Sequence, residues 1–229
     1  MVTMGADSTF VLRKNLCEQA QNLVKLGLNK GTSGNCSIRL SNNYFFITPS
    51  GMTVDEIAPE SIVMLKLDGD VVGEGIPSSE WRFHRDIYLA KSEVHAIVHV
   101  HCPFATAFSC LGNDLPPFHY MIAVAGGDSI RCAPYQLFGT QELSDGAIAA
   151  LLDRKACFLA NHGMISIGES LDKALAITVE VESLCEQYIY ASQLGEPNIL
   201  SKSQMREVLE KFKGYGNWTK KNSKENNDN

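Results

Sequence analysis

Two histidines, His99 and His101, are the residues of this chain whose types and spacing most clearly suggest chemistry. They follow the apolar run at positions 96–98, which is typical of a buried strand. Because strand side chains alternate between faces, both imidazoles project from one side, with their Cα atoms roughly 7 Å apart. Two such nitrogens can converge on one cation, and zinc sites often contain two or three histidines. The alternative is a hydrogen-bonded core histidine beside a second one at the strand end.

A third histidine, His162, lies in the sequence Asn161-His162-Gly163. This segment follows an apolar run and reads as a strand-to-turn junction, where a rigid scaffold often presents functional side chains. Together with the first two histidines it would give three neutral nitrogen ligands and an open fourth position, as in catalytic zinc sites. Spacing alone also allows a turn histidine that caps backbone carbonyls.

One carboxylate, Glu80, falls in the first turn of a helix predicted from about Glu80 to Ala90. Negative charge is stabilised there by the helix dipole, so a purely structural role would also explain it. His84 lies one turn later on the same face, which predicts an ion pair between the two. A serine of the preceding pair, Ser78 or Ser79, is the predicted N-cap.

Three short segments combine hydroxyl groups with a glycine or with a helix N-terminus. They are Thr32-Ser33-Gly34-Asn35, Thr48-Pro49-Ser50-Gly51 and Ser78-Ser79. Each can present N–H and O–H donors to an anion, although none matches a P-loop or a GxGxxG motif. Each segment alone reads as a turn, but three that converge could hold one phosphate without a lysine.

The elements that must position these residues alternate between helical and strand patterns. The predicted helices are Thr9–Lys25, Phe104–Cys110, Gln141–Leu152 and Leu171–Gln193, with Ser144 and Ser170 as caps, and the predicted strands are Cys36–Leu40, Tyr44–Thr48, Ile62–Leu67, Val71–Val72 and Ala156–Ala160. No repeat, linker or shift of composition divides the chain. We therefore predict a single α/β domain.

The composition excludes several classes of protein. A content of 45% hydrophobic and 20% charged residues in 229 positions is ordinary for a globular protein with a sizeable core. The net charge of −6 argues against nucleic-acid binding, which needs a basic face. No apolar run approaches the ~18 residues of a membrane span, and the start does not resemble a signal peptide.

The seven cysteines are odd in number, scattered, and contain no CxxC pair. This usage favours a reducing compartment over a disulfide framework. We therefore expect a cytoplasmic protein with buried thiols. Cys102 is expected in the core, and Cys36 is expected to be buried too, although its place beside Asn35 would also suit a sensor of oxidants.

Ordered motifs across residues 12–216 resemble those of one known family. They are Gly31-Thr32-Ser33-Gly34-Asn35, Ile47-Thr48-Pro49-Ser50-Gly51, Pro77-Ser78-Ser79-Glu80-Trp81-Arg82-Phe83-His84, His99-Val100-His101, His119-Tyr120-Met121-Ile122, Ala133-Pro134-Tyr135, Phe138-Gly139-Thr140, Asn161-His162-Gly163 and Glu210-Lys211-Phe212-Lys213-Gly214-Tyr215-Gly216. The chain is similar to the class II, metal-dependent sugar-phosphate aldolases and ribulose-phosphate 4-epimerases, and most similar to their fuculose-1-phosphate aldolase branch. The resemblance implies a domain at 1–216 with a central, mainly antiparallel sheet covered by helices on both faces. The composition of residues 217–229, with a single aromatic residue, predicts a polar, solvated tail after it.

The resemblance also implies roles for individual residues. His99, His101 and His162 would bind zinc, and Glu80 would be the fourth ligand at rest and the proton carrier during turnover. The residues implied to hold the phosphate of dihydroxyacetone phosphate are Gly34, Asn35, Ser50, Gly51, Ser78 and Ser79. Mn²⁺ or Co²⁺ could replace zinc, since such ligand sets accept several ions.

Two tyrosines complete the implied site. Tyr120 would act as the acid near the aldehyde oxygen, and Tyr215 would close the site. In the family, the site lies between the subunits of a four-fold symmetric homotetramer. The tail of this chain is longer and more polar than the resemblance predicts, which leaves the placement of Tyr215 open.

The implied reaction is reversible aldol cleavage of a deoxyketose 1-phosphate of the L-fuculose 1-phosphate type, giving dihydroxyacetone phosphate and a short aldehyde such as L-lactaldehyde. A 5-deoxyribulose-1-phosphate aldolase would share nearly all these residues. An L-ribulose-5-phosphate 4-epimerase would need acids on both faces of the aldehyde, and Tyr120 as the sole evident acid favours an aldolase. A non-enzymatic scaffold similar to the adducin head would have no reason to keep the three histidines and Glu80 together.

Overall fold

A computed structural model describes residues 6–213 of the chain. Its helices are α1 (Ala6–Lys25), α2 (Trp81–Ala90), α3 (Pro103–Ser109), α4 (Gln141–Ala150), α5 (Leu171–Leu194) and α6 (Lys202–Phe212). Its strands are β1 (Asn35–Arg39), β2 (Tyr44–Ile47), β3 (Val63–Lys66), β4 (Val71–Val72), β5 (Ala96–Val100), β6 (Arg131–Ala133), β7 (Ala156–Leu159) and β8 (Gly163–Gly168). Short 3₁₀ helices occupy Pro59–Ser61 and Tyr120–Ala125.

All eight strands form one sheet in the order β4-β3-β2-β1-β5-β8-β7-β6. Neighbouring strands in this order are antiparallel, except that β6 and β7 run parallel. The histidine strand β5 therefore lies in the middle of the sheet, between β1 and β8. In this register His99 is paired with Asn35 on one side and with Ile165 on the other.

Helices cover both faces of the sheet, because the buried strands are apolar on both sides. Val98 of β5 packs into a core with side chains of α1, α3 and α5 such as Leu16 and Leu184. Ile97 packs into a second core with α2 and α4, beside Phe83 and Leu143. The predicted α/β domain with a mainly antiparallel sheet and helices on both faces is confirmed.

Most predicted elements are present with ends shifted by a few residues, but three elements were not predicted. These are β6, β8 and α6. The apolar side chains of α6 recur at the helical spacing of Met205, Val208, Leu209 and Phe212, so its signal was present in the sequence. Within residues 6–213, no helix combines the length and apolar character needed to cross a membrane.

Two predicted helix caps are wrong, and one is confirmed. The N-cap of α2 is Glu80 rather than a serine, because the helix begins one residue later than predicted. Ser144 lies inside α4, where its buried hydroxyl donates to Asp86 Oδ2 at 2.7 Å, and Thr140 caps that helix instead. Ser170 does cap α5, accepting a hydrogen bond from the backbone N–H of Lys173 at 3.2 Å.

The two cysteines discussed above are buried, as expected. Cys36 and Cys102 are both 0% exposed. Burial raises the pKa of the Cys36 thiol to about 12, and only the thiolate reacts readily with oxidants. The structure therefore supports a packing role for Cys36.

Candidate active site

Four side chains from distant parts of the chain meet at the middle of the sheet. Glu80, His99, His101 and His162 each offer one ligand atom, and these atoms lie within 4.8 Å of one another. His99 Nε2 lies 3.0 Å from His101 Nε2 and 3.2 Å from Glu80 Oε2. Glu80 Oε1 lies 3.1 Å from His162 Nε2. We call these four residues the metal cluster.

The two histidines of the β5 segment are held by the backbone around them. His99 Nδ1 lies 2.9 Å from the carbonyl oxygen of Met164 on β8. A carbonyl oxygen only accepts, so Nδ1 carries the proton and the lone pair of Nε2 faces the cluster. His101 follows the end of β5, and its backbone N–H donates to Asn29 Oδ1 at 3.1 Å. The predicted convergence of both imidazoles on one side of the strand is confirmed.

His162 is presented by a tight turn between β7 and β8. Asn161 has a left-handed backbone with φ of 56°, a conformation that asparagine tolerates better than most residues. Gly163 lies against β5, where a Cβ atom would be 2.4 Å from the carbonyl oxygen of Val100. The turn therefore needs these residue types to bring His162 beside the other ligands.

Glu80 enters the cluster from the N-terminal end of α2. Its backbone N–H donates to Ser78 Oγ at 3.3 Å, and its Oε2 accepts from Asn35 Nδ2 at 2.9 Å. Burial alone would raise the pKa of the Glu80 carboxyl, but the nearby His99 and His162 hold that pKa far below its usual value. Glu80 is therefore a carboxylate.

The direct pair predicted between His84 and Glu80 is wrong. The imidazole of His84 is fully buried, and its Nε2 lies 2.6 Å from Asn35 Oδ1. The Asn35 amide thus stands between His84 and the carboxylate. The helical spacing placed His84 near the site, but it could not show that a residue of β1 intervenes.

The residues of the metal cluster fit a divalent metal ion. Glu80 Oε1 is buried and accepts no hydrogen bond of good geometry from the described residues. The Nε2 atoms of His99 and His101 face each other at 3.0 Å, and burial with the neighbouring His99 lowers the pKa of His101 to about 4, which leaves its lone pair free. Four ligands bound to zinc at about 2.0–2.1 Å would lie roughly 3.3 Å apart. The contacts of 3.0–3.2 Å are close to that spacing.

A cavity of about 350 Å³ adjoins the cluster, and Glu80, His101 and His162 form part of its wall. All six residues predicted to hold the phosphate also line it, namely Gly34, Asn35, Ser50, Gly51, Ser78 and Ser79. We call these six residues the phosphate cradle. The structure brings together the three hydroxyl-bearing segments that the sequence could only suggest would converge.

Backbone pairing between two loops explains the convergence. Pro49 and Pro77 form an isolated antiparallel bridge. The backbone N–H of Ser50 donates to the Ile76 carbonyl at 2.9 Å, and the N–H of Ser78 donates to the Thr48 carbonyl at 3.1 Å. The loops at 48–51 and 76–79 are therefore fixed side by side at the mouth of the cavity.

Other residues of the cavity wall were not predicted as site residues. Tyr135, Gln136 and Phe138 line it from the loop after β6. The sequence offered a signal, because their segment contains two of the motifs that carry the family resemblance. Tyr135 and Phe138 remain 59% and 62% exposed, so they form an open aromatic rim.

Neither of the two predicted tyrosines is among the described residues that line the cavity. Tyr120 begins the 3₁₀ helix Tyr120–Ala125, is 50% exposed, and is not part of the cavity wall. Tyr215 and the predicted polar tail at 217–229 lie outside the described residues. The roles assigned to both tyrosines stay predictions.

Comparison with known proteins assigns the family. The model of the class II aldolase and adducin N-terminal domain matches residues 14–189. The 5-methylthioribulose-1-phosphate/5-deoxyribulose-1-phosphate aldolase of Rhodospirillum rubrum is 49% identical over 209 residues, 91% of this chain and 94% of the relative. The L-fuculose phosphate aldolase of Escherichia coli K12 is 41% identical over 206 residues, 90% and 95% of the two chains.

A solved structure agrees with these relatives. An L-fuculose 1-phosphate aldolase superposes with a TM-score of 0.86 at 39% identity, covering 92% of this chain and 98% of its own. The chain belongs to the class II aldolase and adducin N-terminal domain family. The relatives and the solved structure named here are aldolases, so the expected enzyme class, a class II aldolase acting as a lyase, is confirmed. Class II aldolases are metal-dependent, and the metal cluster could hold the ion.

Proposed function

We propose that this enzyme reversibly cleaves a deoxyketose 1-phosphate to dihydroxyacetone phosphate and a short aldehyde, with zinc held by His99, His101, His162 and Glu80. The observation that carries the proposal is the cavity shared by the metal cluster and the phosphate cradle. A phosphate held by the cradle places the adjoining carbons of the same substrate against the cluster. The bound ion would supply Lewis-acid polarisation of the substrate oxygens.

The side chains of this chain then move the protons. In the direction of synthesis, Glu80 takes a proton from the carbon of dihydroxyacetone phosphate that attacks the aldehyde, and in cleavage it returns that proton. Tyr120 of a neighbouring subunit donates a proton to the new alkoxide in synthesis and takes it back in cleavage. Its exposure and its absence from the cavity wall of its own chain support a role across an interface.

The phosphate cradle binds without a lysine. Its glycines have left-handed backbones, with φ of 73° at both Gly34 and Gly51, and such turns can present successive N–H groups to an anion. The hydroxyls of Ser50, Ser78 and Ser79 supply further donors. Because the chain carries a net charge of −6, this local set of donors has to offset a repulsive overall field.

Two sugar classes remain to be distinguished. L-Fuculose 1-phosphate is the first candidate and would release L-lactaldehyde. The second is a 5-deoxyribulose or 5-methylthioribulose 1-phosphate, supported by the relative from Rhodospirillum rubrum at 49% identity. The aromatic rim of Tyr135 and Phe138 also favours it, because an apolar surface suits a methyl or methylthio end of the aldehyde.

A substrate panel tests the activity directly. The zinc-loaded protein would be assayed with L-fuculose 1-phosphate, 5-deoxyribulose 1-phosphate, 5-methylthioribulose 1-phosphate and L-ribulose 5-phosphate, and released dihydroxyacetone phosphate would be measured with a coupled enzyme. We expect release from at least one of the 1-phosphates. Isomerisation of L-ribulose 5-phosphate to its 4-epimer, with no release from the others, would identify an epimerase instead.

Metal analysis tests the cluster. Purified protein should contain about one zinc per chain, lose activity with a chelator, and regain it with added zinc. Protein that binds no metal even after addition of zinc would refute the proposal. Mn²⁺ and Co²⁺ are expected to restore part of the activity, since both accept nitrogen and oxygen ligands.

The quaternary structure and location are part of the same proposal. We infer a homotetramer whose sites lie between subunits, as the family resemblance implies, and the position of Tyr120 outside the cavity wall of its own chain supports it. Light scattering measures the mass of the assembly. If Tyr120 and Glu80 of different chains act in one site, mixed oligomers of Tyr120→Phe and Glu80→Gln subunits contain some sites with both wild-type residues. Mixing the two inactive variants should therefore restore some activity. The seven cysteines without a CxxC pair support a cytoplasmic location.

A further inference from the structure

A continuous row of buried polar side chains leads from the core under α2 to the metal cluster. Tyr88 Oη lies 2.8 Å from Ser37 Oγ, and Ser37 Oγ lies 2.7 Å from His84 Nδ1. His84 Nε2 lies 2.6 Å from Asn35 Oδ1, and Asn35 Nδ2 donates to Glu80 Oε2 at 2.9 Å. The exposed fraction is 7% or less for each of the five residues.

The Glu80 carboxylate and a neutral His84 together fix the direction of every hydrogen bond in this row. The Glu80 carboxylate only accepts, so the NH₂ group of Asn35 faces it and the amide oxygen faces His84. That oxygen also only accepts, so His84 carries its proton on Nε2. His84 Nδ1 is then the acceptor of the Ser37 hydroxyl proton, and Ser37 Oγ in turn accepts from Tyr88.

The surroundings favour these protonation states. Burial and the nearby His99 lower the pKa of His84 to about 3, so its imidazole is neutral. Burial raises the pKa of Tyr88, so its hydroxyl keeps its proton. Each hydrogen bond of the row therefore has one donor and one acceptor, and a buried row of this kind is rigid.

We propose that His84 is a positioning residue, which in its Nε2–H tautomer fixes the orientation of the Asn35 amide and through it the Glu80 carboxylate in the metal cluster. Without the Nε2 proton the Asn35 amide oxygen loses its donor, and only the contact with Glu80 still orients the amide. A turned amide would place oxygen against carboxylate, two acceptors in contact. His84 is not part of the cavity wall, and its hydrogen bonds among the described residues go to Ser37 and Asn35, so it acts through Asn35.

This inference rests on the proposed function only where it treats Glu80 as the proton carrier. The hydrogen-bond row stands on the geometry alone. Partners that orient metal ligands typically contribute about 10–100-fold in metal affinity or activity. We therefore expect loss of the His84 donor to weaken zinc binding and lower kcat, while KM changes less.

The first experiment observes the tautomer. Long-range ¹H–¹⁵N spectra of the zinc-loaded protein, labelled with ¹⁵N-histidine and assigned with a His84→Gln variant, distinguish the two neutral forms and the imidazolium. The expected result is the Nε2–H form at pH 7. An Nδ1–H form or an imidazolium for His84 would overturn the proposal.

The second experiment separates positioning from packing. His84→Phe keeps a ring but removes the donor, whereas His84→Gln places an amide N–H near the position of Nε2. Zinc affinity is measured by competition with a chelator. We expect about 10–100-fold weaker binding for His84→Phe and a substantial recovery for His84→Gln. Equal affinities for the two variants, or wild-type affinity for His84→Phe, would contradict the proposal.

A matched pair of serines covers the case in which His84→Phe does not fold. Ser37→Ala removes the hydroxyl that donates to His84 Nδ1, so part of the His84 population should shift to the Nδ1–H form and zinc binding should weaken severalfold. Ser144→Ala removes an equally buried hydroxyl that donates to Asp86 Oδ2 instead. Ser144→Ala should leave both the His84 spectrum and zinc affinity at wild-type values. Identical results for the two serine variants would contradict the proposal that this hydrogen-bonded row positions Glu80.

These readouts are independent of the substrate. If no sugar phosphate is cleaved but the tautomer and the zinc affinities behave as stated, the proposed function fails and the inference stands. If cleavage is observed but His84→Phe keeps wild-type zinc affinity and kcat, the inference fails and the proposed function stands.

Discussion

The metal cluster and the phosphate cradle share one cavity but are built in opposite ways. The cluster lies at strands in the middle of the sheet, where His99 is 0% and Glu80 6% exposed. Most of the cradle lies on loops, where Ser50, Gly51 and Ser79 are exposed, whereas its Asn35 begins β1 and is buried. A Lewis acid and a proton carrier need fixed positions to a fraction of an ångström, whereas a phosphate with several acceptor oxygens tolerates small movements of its donors.

This contrast predicts different effects on kcat, metal affinity and KM for substitutions in the two regions. Changes in the cluster should lower kcat or metal affinity steeply, because no neighbouring group can replace a buried ligand. Changes in the cradle should raise KM modestly, because the remaining donors keep most of the binding energy.

Glu80→Gln should have the largest effect. Glutamine keeps the shape of the side chain but cannot accept a proton from carbon, so kcat should fall by about 10²–10⁴-fold, the range of general acid–base catalysis. The three histidines should still bind zinc, and KM should change by less than about threefold. Turnover and metal content are measured on the same preparation. Glu56→Gln, which removes a carboxylate from an exposed loop, is the control for charge, and near wild-type turnover by Glu80→Gln would show that another group moves the proton.

Gly163→Ala should disturb the cluster without replacing a ligand. The new methyl group would lie 2.4 Å from the Val100 carbonyl oxygen and 2.9 Å from His101 Cδ2, which forces β5 and the turn apart. We expect a loss of about 1–3 kcal/mol in the free energy of unfolding, with weaker zinc binding. Denaturant titration measures the loss in the free energy of unfolding. Gly195→Ala, at a glycine with open space around it, should cost little, and equal losses at both sites would contradict this account.

Ser79→Ala should affect the cradle alone. Loss of one hydrogen bond to a charged phosphate corresponds to about 1.5 kcal/mol, or roughly a tenfold increase in KM. Steady-state kinetics should show kcat and zinc affinity unchanged, and the Ki of inorganic phosphate should rise in parallel with KM. A fall in kcat without a change of KM would mean that the cradle takes part in the chemistry and would remove the contrast between the regions.

The smallest effect concerns acid stability. The pKa of His84 is lowered to about 3 in the folded protein and is about 6.5 when unfolded. The unfolded chain therefore binds the extra proton as the pH falls below about 6.5, and stability is lost in that direction. Between pH 7.5 and 5.5 the metal-free protein should lose about 1.4 kcal/mol from this group. Urea titrations of wild type and His84→Gln measure it, and identical pH slopes would show that the His84 pKa is not lowered.

Local features of the fold and site could be predicted from the sequence, because they depend on neighbours in the chain. The apolar run before His99 predicted a strand, and its period of two placed His99 and His101 on one side, as the structure confirms. The cap at Ser170 was also predicted correctly, because it depends on a contact only three residues along the chain. The caps at Ser144 and before α2 were wrong because each prediction depended on the exact residue where a helix begins, which tertiary contacts decide.

Contacts between distant strands could not be predicted from residue patterns. Nothing near His162 indicates that β8 pairs with β5, and this pairing is what brings His162 to the cluster. The family resemblance supplied that placement instead. Asn35 is the clearest case: its predicted role was in phosphate binding, whereas its side chain lies between His84 and Glu80. Only the register of β1 beside β5 shows this second role.

The order of strands in the sheet also has a thermodynamic consequence. The four ligands are neighbours in space only after β1, β5 and β8 have paired, so an unfolded chain can offer at most the two histidines of one short segment. Metal ions therefore bind the native state almost exclusively and stabilise it by mass action, by about 2.7 kcal/mol at a free concentration one hundred times Kd. With the proposed ligands, the melting temperature is therefore expected to rise with the free concentration of the metal ion, which couples metal supply to the stability of the folded sheet.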